Sequence, residues 1–78
     1  MFYTYVLRSK KDGKLYTGWS PDLRERVLKH NKGLVESTKY RRPLELIYYE
    51  GCMDENKAIR REKYFKTGAG RNFLKNRI

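Results

Sequence analysis

The segment Phe2-Tyr3-Thr4-Tyr5-Val6-Leu7 is uncharged and built from aromatic and β-branched residues. It reads as a strand, with Tyr3, Tyr5 and Leu7 on one face and Phe2, Thr4 and Val6 on the other. Lys11-Asp12-Gly13-Lys14 is a hairpin turn, because Asp-Gly tolerates positive φ, and Leu15 to Gly18 is the antiparallel return strand. Ser20-Pro21 opens a helix: Ser20 is the expected N-cap, and Pro21 at the first helical position loses no hydrogen bond. Leu23, Val27 and Leu34 are its expected apolar anchors, and Gly33 its stop. Leu34 to Pro43 is polar and basic and reads as a loop.

Leu44 to Glu50 is a third strand with apolar residues on both faces, the pattern of a central strand covered on two sides. Asp54 caps a second helix that runs through Ala58, Ile59, Glu62 and Phe65 to a stop at Gly68. A short last helix runs from about Gly70 to Asn76. The order β-β-α-β-α-α predicts an α+β fold, a three-stranded antiparallel sheet flanked by helices. At 78 residues, residues 1–78 are expected to form a single domain.

Composition sharpens the functional reading. Nineteen Lys and Arg against nine Asp and Glu leave a formal charge of +10, a field that favours a polyanionic partner. One cysteine, Cys52, and one histidine, His30, cannot build a disulfide or a Cys-rich zinc site. No apolar run approaches the ~20 residues of a membrane span, and the N-terminus meets Arg8 too early for a signal-peptide core. The expected setting is soluble, reduced and cytoplasmic.

Basic charge alone does not require the remaining candidates. Tyr5 and Tyr16 lie on the two hairpin strands, and Gly18 after Tyr16 permits close backbone approach. Arg26 and His30 are spaced i, i+4 and share a helix face, beside the apolar stripe of Leu23 and Val27. A structural histidine and a solvated arginine are the commoner explanation of such a pair. Glu62 is the one acid on the inward side of a basic helix. It reads either as an i, i+4 salt bridge to Lys66, worth about 0.3–0.5 kcal/mol, or as a carboxylate ligand for a divalent cation.

Taken together, Thr4-Tyr5-Val6 and Tyr16-Thr17-Gly18 resemble the paired signature of the GIY-YIG endonuclease superfamily. Arg26 ten residues after the second tyrosine, His30 four further on, and Glu62 on the next long helix are in register with the family's pattern. The resemblance spans the chain and is similar to the small stand-alone bacterial members of the YhbQ-like group. The first triplet lacks Gly and Ile, the second has Thr for Ile, and Trp19 stands where some relatives carry a basic residue. Asn72 and Asn76 lie near the position of a functional asparagine in larger relatives, but neither aligns securely.

This resemblance implies a divalent-metal-dependent endonuclease that hydrolyses DNA phosphodiester bonds, with repair or recombination as its expected setting. Glu62 would hold one Mg²⁺ or Mn²⁺, Arg26 would pair with the phosphate, Tyr16 would act as general base, and Tyr5 would orient water or phosphate. A free tyrosine titrates near 10, so this base needs positive charge nearby, expected from Arg26, the metal and His30. Products would be a 5′ phosphate and a 3′ hydroxyl. Arg24, Lys29, Lys39, Arg41, Arg42, Arg60, Lys63 and Arg71 are expected to hold the backbone of duplex or branched DNA. Phosphate contacts carry no sequence information, so specificity should be low or structure-selective. No membrane partner and no small-molecule cofactor are expected. The alternative is a non-catalytic basic nucleic-acid-binding module on the same fold.

Overall fold

The computed structural model describes residues 1–78. Its elements are β1 (Phe2–Ser9), β2 (Leu15–Ser20), α1 (Leu23–Asn31), β3 (Leu44–Cys52), α2 (Glu55–Phe65) and α3 (Gly68–Lys75). The expected order and the antiparallel pairing are both present, with strand order β2-β1-β3. The central strand is β1, not the third strand as the sequence pattern suggested. Thr4, Tyr5, Val6 and Leu7 are all buried, because both partners pair with β1 and helices cover its two faces. On the edge strand β3 only Leu44 is buried, and Glu45 and Tyr49 are exposed. Uncharged residues on both faces were therefore the better sign of the centre in β1, since β3 carries acids at Glu45 and Glu50.

Each face of β1 seeds a small core. Tyr5 and Leu7 cluster with Leu44 and pack against Tyr16, Leu23, Val27 and Leu46 beneath α1. Val6 clusters with Phe65 and Leu74 beneath α2 and α3, joined by Leu15, Ile47, Tyr48, Tyr64 and Phe73. The register slips where Val6 pairs with Tyr48 but Leu7 with Leu46. Such a bulge sends two successive residues to one face, and here Ile47 and Tyr48 both join the α2 side. Arg61 ties this side together. Its guanidinium makes a two-pronged bond to Glu50 at 2.8 and 3.0 Å and lies 4.6 to 5.0 Å from the rings of Tyr64, Phe65 and Phe73.

Three boundaries differ from expectation. Ser20 is not the cap of α1: it pairs with Tyr3 as the last residue of β2. Asp22 caps instead, its carboxylate accepting the Glu25 N–H at 3.1 Å. Leu34 is no anchor but is exposed; its neighbour Val35 is the buried residue of that segment. Gly68 does not stop α2 but begins α3, because Thr67 serves both helices. The Thr67 hydroxyl donates to the Tyr64 carbonyl at 2.7 Å and accepts the Gly70 N–H at 3.1 Å. Gly33 ends α1 as expected, at φ 78°, and Gly13 turns the hairpin at φ 73°. No helix is long and apolar enough to cross a membrane.

Candidate active site

Tyr5 and Tyr16 face α1 from neighbouring strands, their ring centroids 6.4 Å apart. Gly18 makes this possible: a Cβ built on it would fall 2.5 Å from Tyr5 Oη and 3.2 Å from the Tyr16 ring. His30 reaches down from the last turn of α1, its ring 5.7 Å from that of Tyr5 and 5.0 Å from that of Tyr16. Its Nε2 is 2.8 Å from Tyr5 Oη. One turn earlier on α1, Arg26 Nε donates to the same oxygen at 3.4 Å. Four of the five candidates thus come together on two strands and one helix.

Glu62 approaches from α2, which packs on the opposite face of β1 but also contacts β2. Its charge is the weakest of the influences on the Tyr5 phenol. Its carboxylate is mostly buried and accepts from Lys66 Nζ at 3.0 Å, the i, i+4 pair that the sequence offered as its simpler role.

Burial decides the charge states here. His30 is fully buried, and loss of solvation, reinforced by the Arg26 charge, pushes its pKa down to about 4. His30 is therefore neutral near pH 7 and cannot supply the positive charge expected of it; that falls to Arg26. Burial also raises the Tyr5 phenol above its ordinary value, against the opposing hydrogen bond from Arg26. The bond to Tyr5, with a smaller contribution from Tyr16, holds Arg26 even more firmly protonated. Tyr5 itself is fully buried, so its hydroxyl works on Arg26 and His30 rather than at the surface.

Sequence reasoning missed Thr38. This residue is fully buried in the segment between α1 and β3, and its Oγ1 lies 2.7 Å from His30 Nδ1. A threonine in a polar, basic stretch gave no signal. Asn31 was missed for the same reason. Its amide donates to the Leu44 carbonyl at 2.9 Å and accepts the Leu44 N–H at 2.7 Å, binding the end of α1 to the start of β3.

The basic candidates divide. Lys29, Lys39 and Arg41 form ion pairs with Glu25, Glu36 and Asp12, and Arg42 donates to the Lys39 carbonyl at 2.8 Å. Arg24, Arg60, Lys63 and Arg71 are exposed and form no ion pair. The largest cavity, about 580 Å³, is lined by none of the five candidates and is mainly apolar, with Tyr3, Leu23, Val27, Leu28, Leu46 and Tyr49 among its walls.

Residues 1–76 match the family model of the GIY-YIG catalytic domain. The chain belongs to the GIY-YIG family. It is 40% identical over 74 residues to a UPF0213 protein of Staphylococcus saprophyticus, covering 94% of this chain and 89% of that one. A UPF0213 protein of Staphylococcus aureus is 41% identical over 66 residues, covering 83% of this chain and 79% of that one. The solution structure of a UPF0213 protein from Bacillus halodurans superposes with TM-score 0.59 at 30% identity, covering 97% of this chain and 84% of that one. GIY-YIG is a nuclease family, so the substrate class is nucleic acid.

GIY-YIG nucleases generally use a divalent metal, and the donor set here allows only one kind of site. The chain has no cluster of three or more His, Cys, Asp or Glu, which excludes an all-protein cage. Glu62 is one hard oxygen donor on α2. It suits a Mg²⁺-like ion that keeps most of its waters and takes further oxygens from a substrate phosphate, once Lys66 yields its place.

Proposed function

We propose that residues 1–78 act as one nuclease domain, a metal-dependent endonuclease that hydrolyses DNA phosphodiester bonds with low sequence specificity or selectivity for branched structures. The reading is supported by one observation: Arg26 donates to Tyr5 Oη, while Tyr16 also helps to hold Arg26 protonated. A phosphate-pairing group would then have a partly exposed phenol beside it. A guanidinium fork matches phosphoryl oxygens and neutralises charge that develops on them.

Tyr16 is the base in this reading. Burial raises the Tyr5 phenol and encloses it, whereas Tyr16 retains surface beside the His30 ring. Tyr5 holds Arg26 in place, and neutral His30 holds Tyr5. Glu62 would hold Mg²⁺ or Mn²⁺, which supplies Lewis-acid polarisation of the phosphate and stabilises the leaving oxygen. Arg24, Arg60, Lys63 and Arg71 would contact backbone directly. Lys29 and Lys39 would join after exchanging weak surface partners, each pair worth at most about 1 kcal/mol; Arg42 would join after releasing the Lys39 carbonyl, and Arg41 from its place beside Asp12. DNA repair or recombination in the cytoplasm is the setting this reading carries.

The Lys66–Glu62 pair favours a second reading, a basic nucleic-acid-binding module in which Glu62 never takes a metal. A nicking assay on linear and branched DNA with Mg²⁺, Mn²⁺ or EDTA separates the two. Metal-stimulated nicking supports the enzyme; binding without cleavage under every metal supports the module.

A further inference from the structure

The geometry points to Thr38 as a positioning residue. Its hydroxyl oxygen accepts the Nδ1–H of His30, which leaves Nε2 bare to take the Tyr5 proton and the Tyr5 oxygen open to Arg26. The inference rests on the nuclease reading only for its effect on rate; the proton arrangement stands by itself.

A chain of contacts runs Arg26 Nε, Tyr5 Oη, His30 Nε2 and Nδ1, and Thr38 Oγ1, at 3.4, 2.8 and 2.7 Å. Tyr5, His30 and Thr38 are fully buried. Arg26 can only donate, so the Tyr5 oxygen accepts on that side. A neutral imidazole has one N–H and one bare nitrogen, and two directions are open. In one, Tyr5 donates to Nε2 and Nδ1–H donates to Thr38. In the other, Thr38 donates to Nδ1 and Nε2–H donates to the phenol oxygen beside Arg26. Each direction leaves one hydroxyl proton outside the chain, that of Thr38 in the first and that of Tyr5 in the second, so the strength of the donors decides.

Acidity favours the first direction. A phenol, with pKa near 10, is the stronger donor of the two hydroxyls and the poorer acceptor. The bond from the Arg26 cation polarises every later bond in the same sense.

Thr38 is held in place to do this. Its N–H donates to the Val35 carbonyl at 3.1 Å, and its own carbonyl accepts the Arg41 N–H at 2.8 Å. The hairpin turn pins the segment from the other side: the Ser9 hydroxyl donates to the Arg41 carbonyl at 2.6 Å, Lys10 N–H to the Pro43 carbonyl at 2.9 Å, and Arg41 pairs with Asp12 at 3.2 Å. A polar loop is thereby made into a fixed wall for the imidazole.

The chain contains one histidine, so long-range ¹H–¹⁵N spectra of the intact protein near pH 7 report His30 alone. The expected wild-type pattern is a protonated Nδ1 and a bare Nε2. Thr38→Val, nearly isosteric, should shift the population toward Nε2–H, and Thr38→Ser should restore the wild-type pattern. In the nicking assay Thr38→Val should lower kcat about tenfold, the size of one lost buried hydrogen bond, with DNA affinity unchanged and with recovery in Thr38→Ser. A wild-type Nε2–H tautomer overturns the proposal, and so does Thr38→Val that keeps both the Nδ1–H pattern and the wild-type rate. Should Thr38→Val fail to fold, the wild-type tautomer and the Thr38→Ser spectrum still decide. If wild type never nicks DNA, the nuclease reading falls while the spectra still judge the assignment to Thr38.

Discussion

Tyr5 Oη occupies the space that a side chain on Gly18 would need, with only 2.5 Å between the phenol oxygen and a Cβ built there. The second signature triplet thus ends in glycine because the tyrosine of the first lies across it. Gly18→Ala should push the Tyr5 ring off His30 and Arg26. The expected result is a folded protein destabilised by about 1–3 kcal/mol, with strongly reduced nicking. Denaturant titration and the nicking assay check it; unchanged stability and rate would mean the ring has room to move.

Glu62→Gln should leave the fold almost intact. Its partner Lys66 is more than half exposed, and such pairs contribute at most about 1 kcal/mol. The substitution removes the anionic oxygen that a hard cation prefers, so metal-stimulated nicking should be lost while DNA affinity persists. Nicking at the wild-type rate would remove Glu62 from the metal role. An unfolded variant would show that the carboxylate is structural.

Tyr16→Phe tests chemistry against binding. Removing one hydroxyl leaves the ring beside His30 in place, so stability should change little and nicking should fall. Binding should hold, because it is spread over many cations. Neutralising about five phosphates gives a log–log salt slope near −4.5 on duplex DNA. Salt-titrated affinities of wild type and Tyr16→Phe should therefore run parallel, and a collapse of binding in the variant would contradict the assignment.

Stability should fall with acidity through His30. Its folded pKa, about 4, lies below the ordinary 6.5, so the unfolded chain binds the proton first. The contribution is complete above 6.5 and is lost as pH falls from 6.5 toward 4. At about 1.4 kcal/mol per pH unit, the loss across that window is roughly 3 kcal/mol. His30→Gln lacks this titration, so the stability gap between wild type and variant should narrow across the window. Denaturant unfolding at pH 7 and pH 4.5 measures it, and a constant gap would refute it.

Gly70→Ala should be costly and Gly68→Ala mild, although both glycines lie in α3. A Cβ on Gly70 would run into the Tyr64 carbonyl, whereas one on Gly68 meets nothing within 4 Å. The backbone of α2 cannot yield as a side-chain tip can, so Gly70→Ala should cost several kcal/mol, on the order of severe overpacking. Thermal unfolding of the two variants checks the contrast.

The sequence by itself determined the elements, the turn at Gly13, the end of α1 at Gly33, and the family to which the chain belongs. These depend on local φ preferences, on period-two and helical patterning, and on spacings along one chain. Which strand is central was misread: apolar residues on two faces mark both β1 and β3, only the acids at Glu45 and Glu50 set β3 apart, and the pairing β2-β1-β3 decides. Cap positions shifted where tertiary structure competed: the sheet took Ser20 as a strand residue, and Thr67 served two helices where glycine looked like the stop. The site residues were legible as a set, but their charge states were not. His30 reads as a possible cation until burial beside Arg26 makes it neutral. Thr38 was invisible because its only distinction is what it touches: the loop between α1 and β3 must first fold against the hairpin turn before a hydroxyl eight residues away in sequence meets the imidazole and directs its proton.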